Sequence, residues 1–193
     1  MRPIRVSAWL SITLAWSCLA HAQSAFTLAD LLALMAKQTR VQTTFTEKKF
    51  IKGLDAPIES SGELSFEAPD HMVKRTLLPK PETMKLDARM ATLERGRQVR
   101  SVSLDDYPDL AVHVEGIRAS LAGDRAALER IYRVEFGGTA AQWKMLLTPV
   151  NERAAAQVKT VLLVGEEADI RSVQVILPDG DSSITTIARP QRP

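Results

Sequence analysis

The sequence consists largely of short segments in which apolar and polar residues alternate, and turn-like residues separate one segment from the next. In the segment 63–67, for example, Leu64 and Phe66 fall on one face. Alternation with a period of two predicts β-strands that bury one face, and short connections predict antiparallel pairing. The predicted strands cover residues 41–51, 63–67, 73–78, 84–88, 91–95, 99–104, 132–136, 143–147, 158–164, 170–177 and 184–188.

Three short helices interrupt this pattern. The first begins at Thr27, which forms a potential capping box with Asp30. The second carries an apolar stripe between Pro108, which suits a first helical position, and Gly123, which suits a helix end. Asp124 is suited to cap the third. We therefore expect an α+β, mainly β protein, in which a single strongly curved antiparallel sheet of about eleven strands is covered by three short helices.

The first 22 residues have the pattern of a secretory signal peptide. Arg2 and Arg5 precede an apolar core that is too short to span a bilayer comfortably, and residues 20–22 read Ala-His-Ala, the small-x-small pattern of a cleavage site. An uncleaved membrane anchor is the alternative. Cleavage after residue 22 would leave residues 23–193 as a single domain, which we expect to be a periplasmic monomer.

Composition argues against several classes of protein. The single cysteine, Cys18, lies inside the predicted signal peptide, and Trp16 stands where a lipidation site would need a small residue. We therefore expect a mature chain without a disulfide or a lipid anchor. The net charge is only +2 and aromatic residues are few, so nucleic-acid binding is not expected. The basic pairs at 48–49 and 74–75 are interpreted as a solvated sheet face.

Residues that could perform catalysis are scarce. His71 and His113 are far apart and lack the spacing of a metal site, while the acidic pair at 105–106 fits a turn. The sequence has no nucleophile elbow, phosphate-binding loop or dinucleotide fingerprint. We therefore predict a protein that is not an enzyme and that holds no metal and no cofactor.

The remaining chemistry is that of apolar surface on the concave side of the sheet. Short helices would cover it incompletely and leave a hydrophobic cavity suited to an acyl chain, although a dry, filled core is the equally open alternative. A buried methylene contributes about 0.8 kcal/mol, so one long chain would contribute on the order of 10 kcal/mol before association costs. The residues expected to contact lipid are Phe45, Leu64, Phe66, Val73, Met84, Leu86, Leu93, Val102, Leu110, Val114, Ile117, Leu121, Val134, Phe136, Trp143 and Met145.

The order of these segments resembles the LolA-like family of periplasmic lipoprotein carriers. The resemblance extends over about residues 27–188 and begins with the leading helix and the strand 41–47. It continues with Gly-Glu-Leu-Ser-Phe at 62–66 and the following Pro69. The later motifs, which resemble a branch that accompanies lipid or polyene export systems, are Tyr-Pro at 107–108, Leu-Ala-Gly-Asp at 121–124, Trp143 and Leu-Thr-Pro at 147–149.

The resemblance implies an incomplete, half-open β-barrel whose helical lid is closed when empty and opened by lipid. It also implies a carrier that receives lipid or lipoprotein acyl chains from an inner-membrane transporter and yields them to an outer-membrane acceptor, without a cofactor. One departure concerns the lid. The family has a latch arginine before the proline, whereas Ala68 precedes Pro69 here, and Arg75 and Arg89 are the candidates for its role, unless they are ordinary surface arginines.

Two alternative functions remain compatible with the sequence. A lipid-sensing regulatory protein of related fold would bind a lipid and then a signalling partner. A carrier or assembly factor for a glycolipid or polyene lipid would serve an export system instead of lipoprotein transport. A periplasmic hydrolase is disfavoured because the sequence shows no catalytic constellation.

Overall fold

The computed structural model describes residues 25–190, apart from the side chains at positions 108–110, 112 and 113. The predicted signal peptide lies outside the described residues. The helices in the described part are α1 (Leu28–Met35), α2 (Pro108–Ala122), α3 (Arg125–Ile131) and α4 (Glu152–Gln157). The strands are β1 (Arg40–Phe50), β2 (Ile58–Glu67), β3 (His71–Leu78), β4 (Glu82–Asp87), β5 (Met90–Arg95), β6 (Gln98–Ser103), β7 (Tyr132–Thr139), β8 (Gln142–Pro149), β9 (Thr160–Glu166), β10 (Asp169–Ile176) and β11 (Ser182–Ile187).

The eleven strands of the described chain form one antiparallel sheet in the order β6-β5-β4-β3-β2-β1-β11-β10-β9-β8-β7. Two meanders, β1 to β6 and β7 to β11, meet in the middle of the sheet, where Phe45 of β1 lies opposite Ile187 of β11. The outer strands β6 and β7 do not pair with each other, so the sheet is open and does not close into a barrel. The prediction of a mainly β protein built on an open sheet of eleven strands is confirmed.

The helix ends follow local signals in the sequence. Thr27 and Asp30 form the predicted capping box, in which each side chain accepts a hydrogen bond from the backbone N–H of the other residue. Pro108 is the first residue of α2, and Gly123 ends that helix in the left-handed conformation, with φ of 68°. Asp124 caps α3 by accepting a backbone hydrogen bond.

The expectation of three helices is wrong, because α4 forms between β8 and β9. Asn151 caps α4 by accepting a hydrogen bond from the backbone N–H of Ala154, the buried residue of this helix. The α4 sequence, ERAAAQ, contains no apolar side chain larger than alanine. It therefore lacks the apolar stripe by which the other helices are identified.

Strand β2 begins five residues before the predicted segment 63–67. Its first half pairs with β1, and Ile58 lies opposite Lys49. Residues 59–62 read Glu-Ser-Ser-Gly and show no apolar alternation, which explains why the sequence pattern missed them. Backbone pairing with β1 and β3 holds this polar stretch in the sheet.

Two core clusters hold the helices against one face of the sheet. In the larger cluster, α1 and α3 pack on strands β7 to β10. In the smaller cluster, Val114 of α2 packs with Leu86, Ala91 and Leu104. Helix α2 also contributes Ala119 to the larger cluster, so this helix bridges the two halves of the sheet. The fully buried side chains of the larger cluster include Leu31, Met35, Leu128, Trp143, Met145 and Val158.

Candidate functional site

A cavity of about 360 Å³ lies between α2 and the sheet. Its floor is a row of side chains on neighbouring strands. These side chains share one face because residues that lie opposite one another in antiparallel strands point to the same side of the sheet. Val41, Phe66, Met72 and Leu86 follow one another across β1 to β4 in this way. The roof is formed by α2, which contributes Gly116, Ile117, Ser120 and Leu121. The volume is within the range of about 300–1,000 Å³ that is typical of small-molecule sites.

Seven of the residues predicted from the sequence line this cavity. Four lie on the floor, on β2 and β4, and two lie on the roof. Val73 borders the cavity next to the floor residue Met72, but strand alternation assigns its side chain to the other face of the sheet. Ile117 is 47% exposed although it lines the cavity, so the roof is partly open to solvent. The seven residues are Leu64, Phe66, Val73, Met84, Leu86, Ile117 and Leu121.

Four predicted residues belong instead to the larger core cluster. Trp143 and Met145 are fully buried there, and Val134 and Phe136 pack against the cluster from β7. The ring of Phe136 lies 5.8 Å from that of Phe26, between ring centroids. These residues share the face of the cavity floor, but they pack with α1 and α3 in the larger cluster and do not line the cavity.

The other five predicted residues are distributed around the cavity. Val102 and Val114 belong to the smaller cluster, and Phe45 is buried in β1. Leu93 is half-buried on β5, and the side chain of Leu110 lies outside the described residues. The period-two pattern assigns each residue to a face, but it does not reveal which parts of that face are in contact with a helix.

The sequence reasoning missed much of the opposite wall of the cavity. This wall is formed by β9, β10 and β11, through residues that include Val161, Leu163, Val173, Val175 and Ile187. Their alternation was visible, since Val173 and Val175 lie two residues apart on a predicted strand. The sequence did not reveal the pairing of β11 with β1, which places β9 to β11 beside the floor strands β1 to β4.

A polar cluster around Glu47 interrupts the apolar lining. The Lys74 Nζ atom lies 2.7 Å from Oε2 of Glu47 and 4.8 Å above the centre of the Phe45 ring. The hydroxyl groups of Ser60 and Thr185 also donate to the Glu47 carboxylate, at 3.3 and 3.4 Å. Glu47 and Lys74 both line the cavity, and their side chains are only 16% and 28% exposed. The interpretation of Lys74 as part of a solvated face is therefore wrong.

The charge state of Glu47 follows from two opposing effects. Burial alone would raise the pKa of this carboxyl group, because it disfavours the charged form. The hydrogen bond and positive charge of Lys74, supported by Lys49 and Ser60, outweigh burial and lower the pKa of Glu47 below its ordinary value of 4.5. Glu47 and Lys74 therefore form an ion pair at neutral pH.

An arginine of α2 connects the roof of the cavity to two turns of the sheet. The Arg118 Nη1 atom donates to the backbone oxygen of Ala88, at 3.0 Å, in the turn between β4 and β5. Its Nη2 atom lies 3.4 Å from the carboxylate of Asp70, in the turn between β2 and β3. The Arg118 side chain is 20% exposed, so these contacts are partly shielded from water.

The two arginines that the sequence offered as latch candidates occupy different places. Arg75 pairs with Glu63 on the neighbouring strand, at 3.8 Å, and Arg89 pairs with Asp105. Both side chains are more than 60% exposed. Neither residue lines the cavity or contacts the roof residues of α2 in these ion pairs.

The described part of the chain offers little other site chemistry. Between residues 25 and 190, no group of three or more His, Cys, Asp or Glu side chains is placed to hold a metal ion. The helices of this stretch are all too short or too polar to cross a membrane. His71 pairs with Asp87 at 3.7 Å in an exposed position, away from the cavity.

Residues 20–191 match the family model for the outer membrane lipoprotein carrier protein LolA-like group. No curated protein matches the sequence significantly. Among solved structures, a LolA superfamily protein from Nitrosomonas europaea is 11% identical, with a TM-score of 0.48, over 88% of this chain and 94% of that one. A chain of the Pseudomonas aeruginosa MucA/MucB complex is 14% identical, with a TM-score of 0.46, over 85% and 56%. The Mycobacterium tuberculosis lipoprotein LppX is 11% identical, with a TM-score of 0.41, over 84% and 96%.

Proposed function

This chain belongs to the LolA-like family of outer membrane lipoprotein carrier proteins, and on that premise we propose that it carries a lipid or lipoprotein through the periplasm, from the inner to the outer membrane. The observation that supports the proposal most directly is the apolar cavity between α2 and the sheet. Acyl chains in this cavity would be shielded from water. The proposed activity is binding and release, without catalysis.

The size of the cavity sets how much lipid the closed protein could hold. A volume of about 360 Å³ accommodates on the order of ten methylene groups, if each needs about the space of a water molecule, about 30 Å³. At about 0.8 kcal/mol per methylene, burial would contribute on the order of 8 kcal/mol before association costs. A lipid with two or three chains would need a larger space, which requires α2 to move.

Movement of α2 would break apolar and polar contacts. The roof residues Ile117 and Leu121 would separate from the floor, and Val114 and Ala119 would lose packing in the two core clusters. Arg118 would lose Asp70 and Ala88. An acyl chain would replace the lost apolar contacts, so lipid would favour the open arrangement. Release would then require an outer-membrane acceptor that binds the lipid more tightly, just as loading would require an inner-membrane transporter.

The test is native mass spectrometry of the protein purified from its own periplasm, together with binding of a fluorescent acyl probe. We expect copurified lipid, whose mass would distinguish a lipoprotein from a glycolipid or polyene lipid. Leu64→Glu, on the cavity floor, should abolish probe binding, whereas Leu54→Glu, at a position that is already 55% exposed, should not. A wild-type protein with neither bound lipid nor affinity for the probe would refute the proposal.

A further inference from the structure

The polar cluster lies where the apolar floor gives way to exposed surface. Glu47 lies opposite Ser60, and the next pair toward the end of the two strands on the same face is Lys49 opposite Ile58. Lys49 and Ile58 are both exposed, whereas Phe45, on the other side of Glu47, is 2% exposed. Ser183, which lies opposite Lys49 on β11, still lines the cavity. Glu47 therefore lies near one rim of the cavity, and the Lys74 amino group reaches it from a floor position between Leu64 and Met84.

The charges at this rim do not balance. Two lysines, Lys49 and Lys74, accompany a single carboxylate, that of Glu47. Among the residues that the structure describes, no carboxylate oxygen lies within 4.0 Å of the Lys49 amino group. The local excess of positive charge favours an anionic ligand over a neutral or cationic one.

Glu47 has several hydrogen-bond partners, whereas Lys74 has donors that the cluster does not use. The Glu47 carboxylate receives hydrogen bonds from three side chains, those of Lys74, Ser60 and Thr185. The Lys74 ammonium group has three N–H donors, and in the contacts of the described residues Glu47 is its one hydrogen-bond acceptor. Lys74 can therefore donate to a ligand without leaving Glu47, and a charge-assisted bond of this kind is stronger than a neutral one.

An ion pair on an apolar wall is a poor device for stability. Removing two charges from water is unfavourable, and well-packed apolar side chains in the same place are often as stabilising or more so. An ion pair in the wall would contribute nothing to the binding of a hydrocarbon chain. Lys74 lies between Leu64 and Met84 on the floor and its amino group reaches Glu47 nearer the rim, an arrangement that suits a ligand with an apolar part and a charged end.

We propose that Lys74 and Lys49 bind the phosphate head group of an anionic lipid whose acyl chain extends over the apolar floor toward Phe66 and Leu86. The inference rests on the proposed function, because the head group belongs to the lipid in the cavity. It adds a substrate class and an orientation to that function. The lipid enters chain first, and its phosphate stays at the rim, where Glu47 holds Lys74 in place.

The test compares two lipids that share one acyl chain. Palmitoyl lysophosphatidic acid carries a phosphate, 1-palmitoylglycerol is neutral, and glycerol 3-phosphate is the head group alone. We expect the wild-type protein to bind the phosphate lipid about tenfold more tightly than the neutral one. We expect glycerol 3-phosphate to show no measurable binding, because the apolar part supplies most of the affinity.

Variants assign the preference to particular residues. Lys74→Met should weaken binding of the phosphate lipid about tenfold and leave the neutral lipid unchanged, and Lys49→Met should have a smaller effect of the same kind. Lys48→Met is the matched control, because Lys48 is adjacent in the chain but pairs with Glu59 on the other face. The double variant Glu47→Gln/Lys74→Met removes both charges of the ion pair together, so it should fold and still lose most of the preference.

The possible results separate this inference from the proposed function. Equal binding of both lipids by the wild type, or an equal loss of both in Lys74→Met, would overturn the head-group site and leave the carrier function standing. Binding of glycerol 3-phosphate as tight as that of the lipid would also overturn it, in favour of a site for a free phosphate compound. Failure of the wild type to bind either lipid would overturn both proposals.

Discussion

At the scale of single residues, the Glu47 carboxylate combines partial burial with three hydrogen-bond donors. Its lowered pKa means that the folded protein holds it ionised more strongly than the unfolded chain does. Such a group stabilises the fold fully above its unfolded value, and the contribution is lost as the pH falls through the lower, folded value. The acid stability of the protein should therefore depend in part on this one side chain.

We expect Glu47→Gln to remove that dependence. The variant should be less stable than the wild type at neutral pH, and the two free energies of unfolding should converge as the pH falls below 4.5. Urea titrations across this range measure the convergence. The control is Glu59→Gln, at a position 64% exposed in its pair with Lys48, where we expect little difference from the wild type at any pH. A constant gap between Glu47→Gln and wild type would contradict the prediction.

The sequence could identify some of these residues and not others. Leu64 and Phe66 were predicted because alternation marks the buried face of a strand, and both line the cavity. Alternation also places Glu47 on the same face as Phe45, but a charged residue is ordinarily expected at the surface. Lys74 comes close to Glu47 only because β2 and its neighbours set the register, which no local pattern encodes.

At the scale of elements, α2 is held on the sheet by two kinds of contact, apolar packing and the hydrogen bonds of Arg118. Its buried residues pack on both core clusters, while Arg118 reaches two turns at the edge of the cavity. Apolar packing is nondirectional, but the hydrogen bonds of Arg118 fix the helix at one point. Opening of the roof would have to break these polar contacts.

We expect Arg118→Ala to loosen α2. Hydrogen bonds that involve a charged group contribute about 1.5–3 kcal/mol. If the variant loses about 1.5 kcal/mol, α2 should open about tenfold more often than in the wild type. Hydrogen–deuterium exchange of the α2 amides should accelerate accordingly. Arg125→Ala is the control, because Arg125 pairs with Glu129 on the exposed side of α3, at 2.8 Å. Equal exchange rates in the two variants would show that Arg118 does not hold the roof.

Most elements were predictable because their signals are local. Capping residues and apolar stripes identified α1, α2 and α3, and alternation identified the strands. The exceptions share a physical reason, since α4 and the first half of β2 contain few large apolar residues. Their backbones are ordered by caps and by strand pairing, and neither leaves a period in the sequence.

At the scale of the whole molecule, the pairing of β1 with β11 is the decisive contact. It joins two meanders that are otherwise connected only through α2 and α3 along the chain, and it brings the cavity walls together. Phe45 and Ile187 face each other although most of the described chain separates them in sequence. Short strands and turns predict each meander, but nothing local predicts which strands meet in the centre.

We expect the two halves to unfold together, because they share a continuous sheet and are bridged by α2. Trp143 is fully buried in the larger cluster, and the other two tryptophans, Trp9 and Trp16, lie in the predicted signal peptide. In the chain without residues 1–22, the fluorescence of Trp143 therefore reports on the half formed by β7 to β11, whereas far-UV circular dichroism reports on both halves. The two urea transitions should have the same midpoint. A second transition seen only by circular dichroism would contradict a single cooperative unit.

The position of α2 has a further consequence for the proposed carrier function. A carrier of this kind would spend part of its cycle without lipid in an aqueous compartment, where an uncovered apolar surface would adhere to other proteins. Ile117 and Leu121 lie over the cavity floor and cover part of it. The helix that would move to admit lipid would therefore also limit aggregation of the unloaded protein.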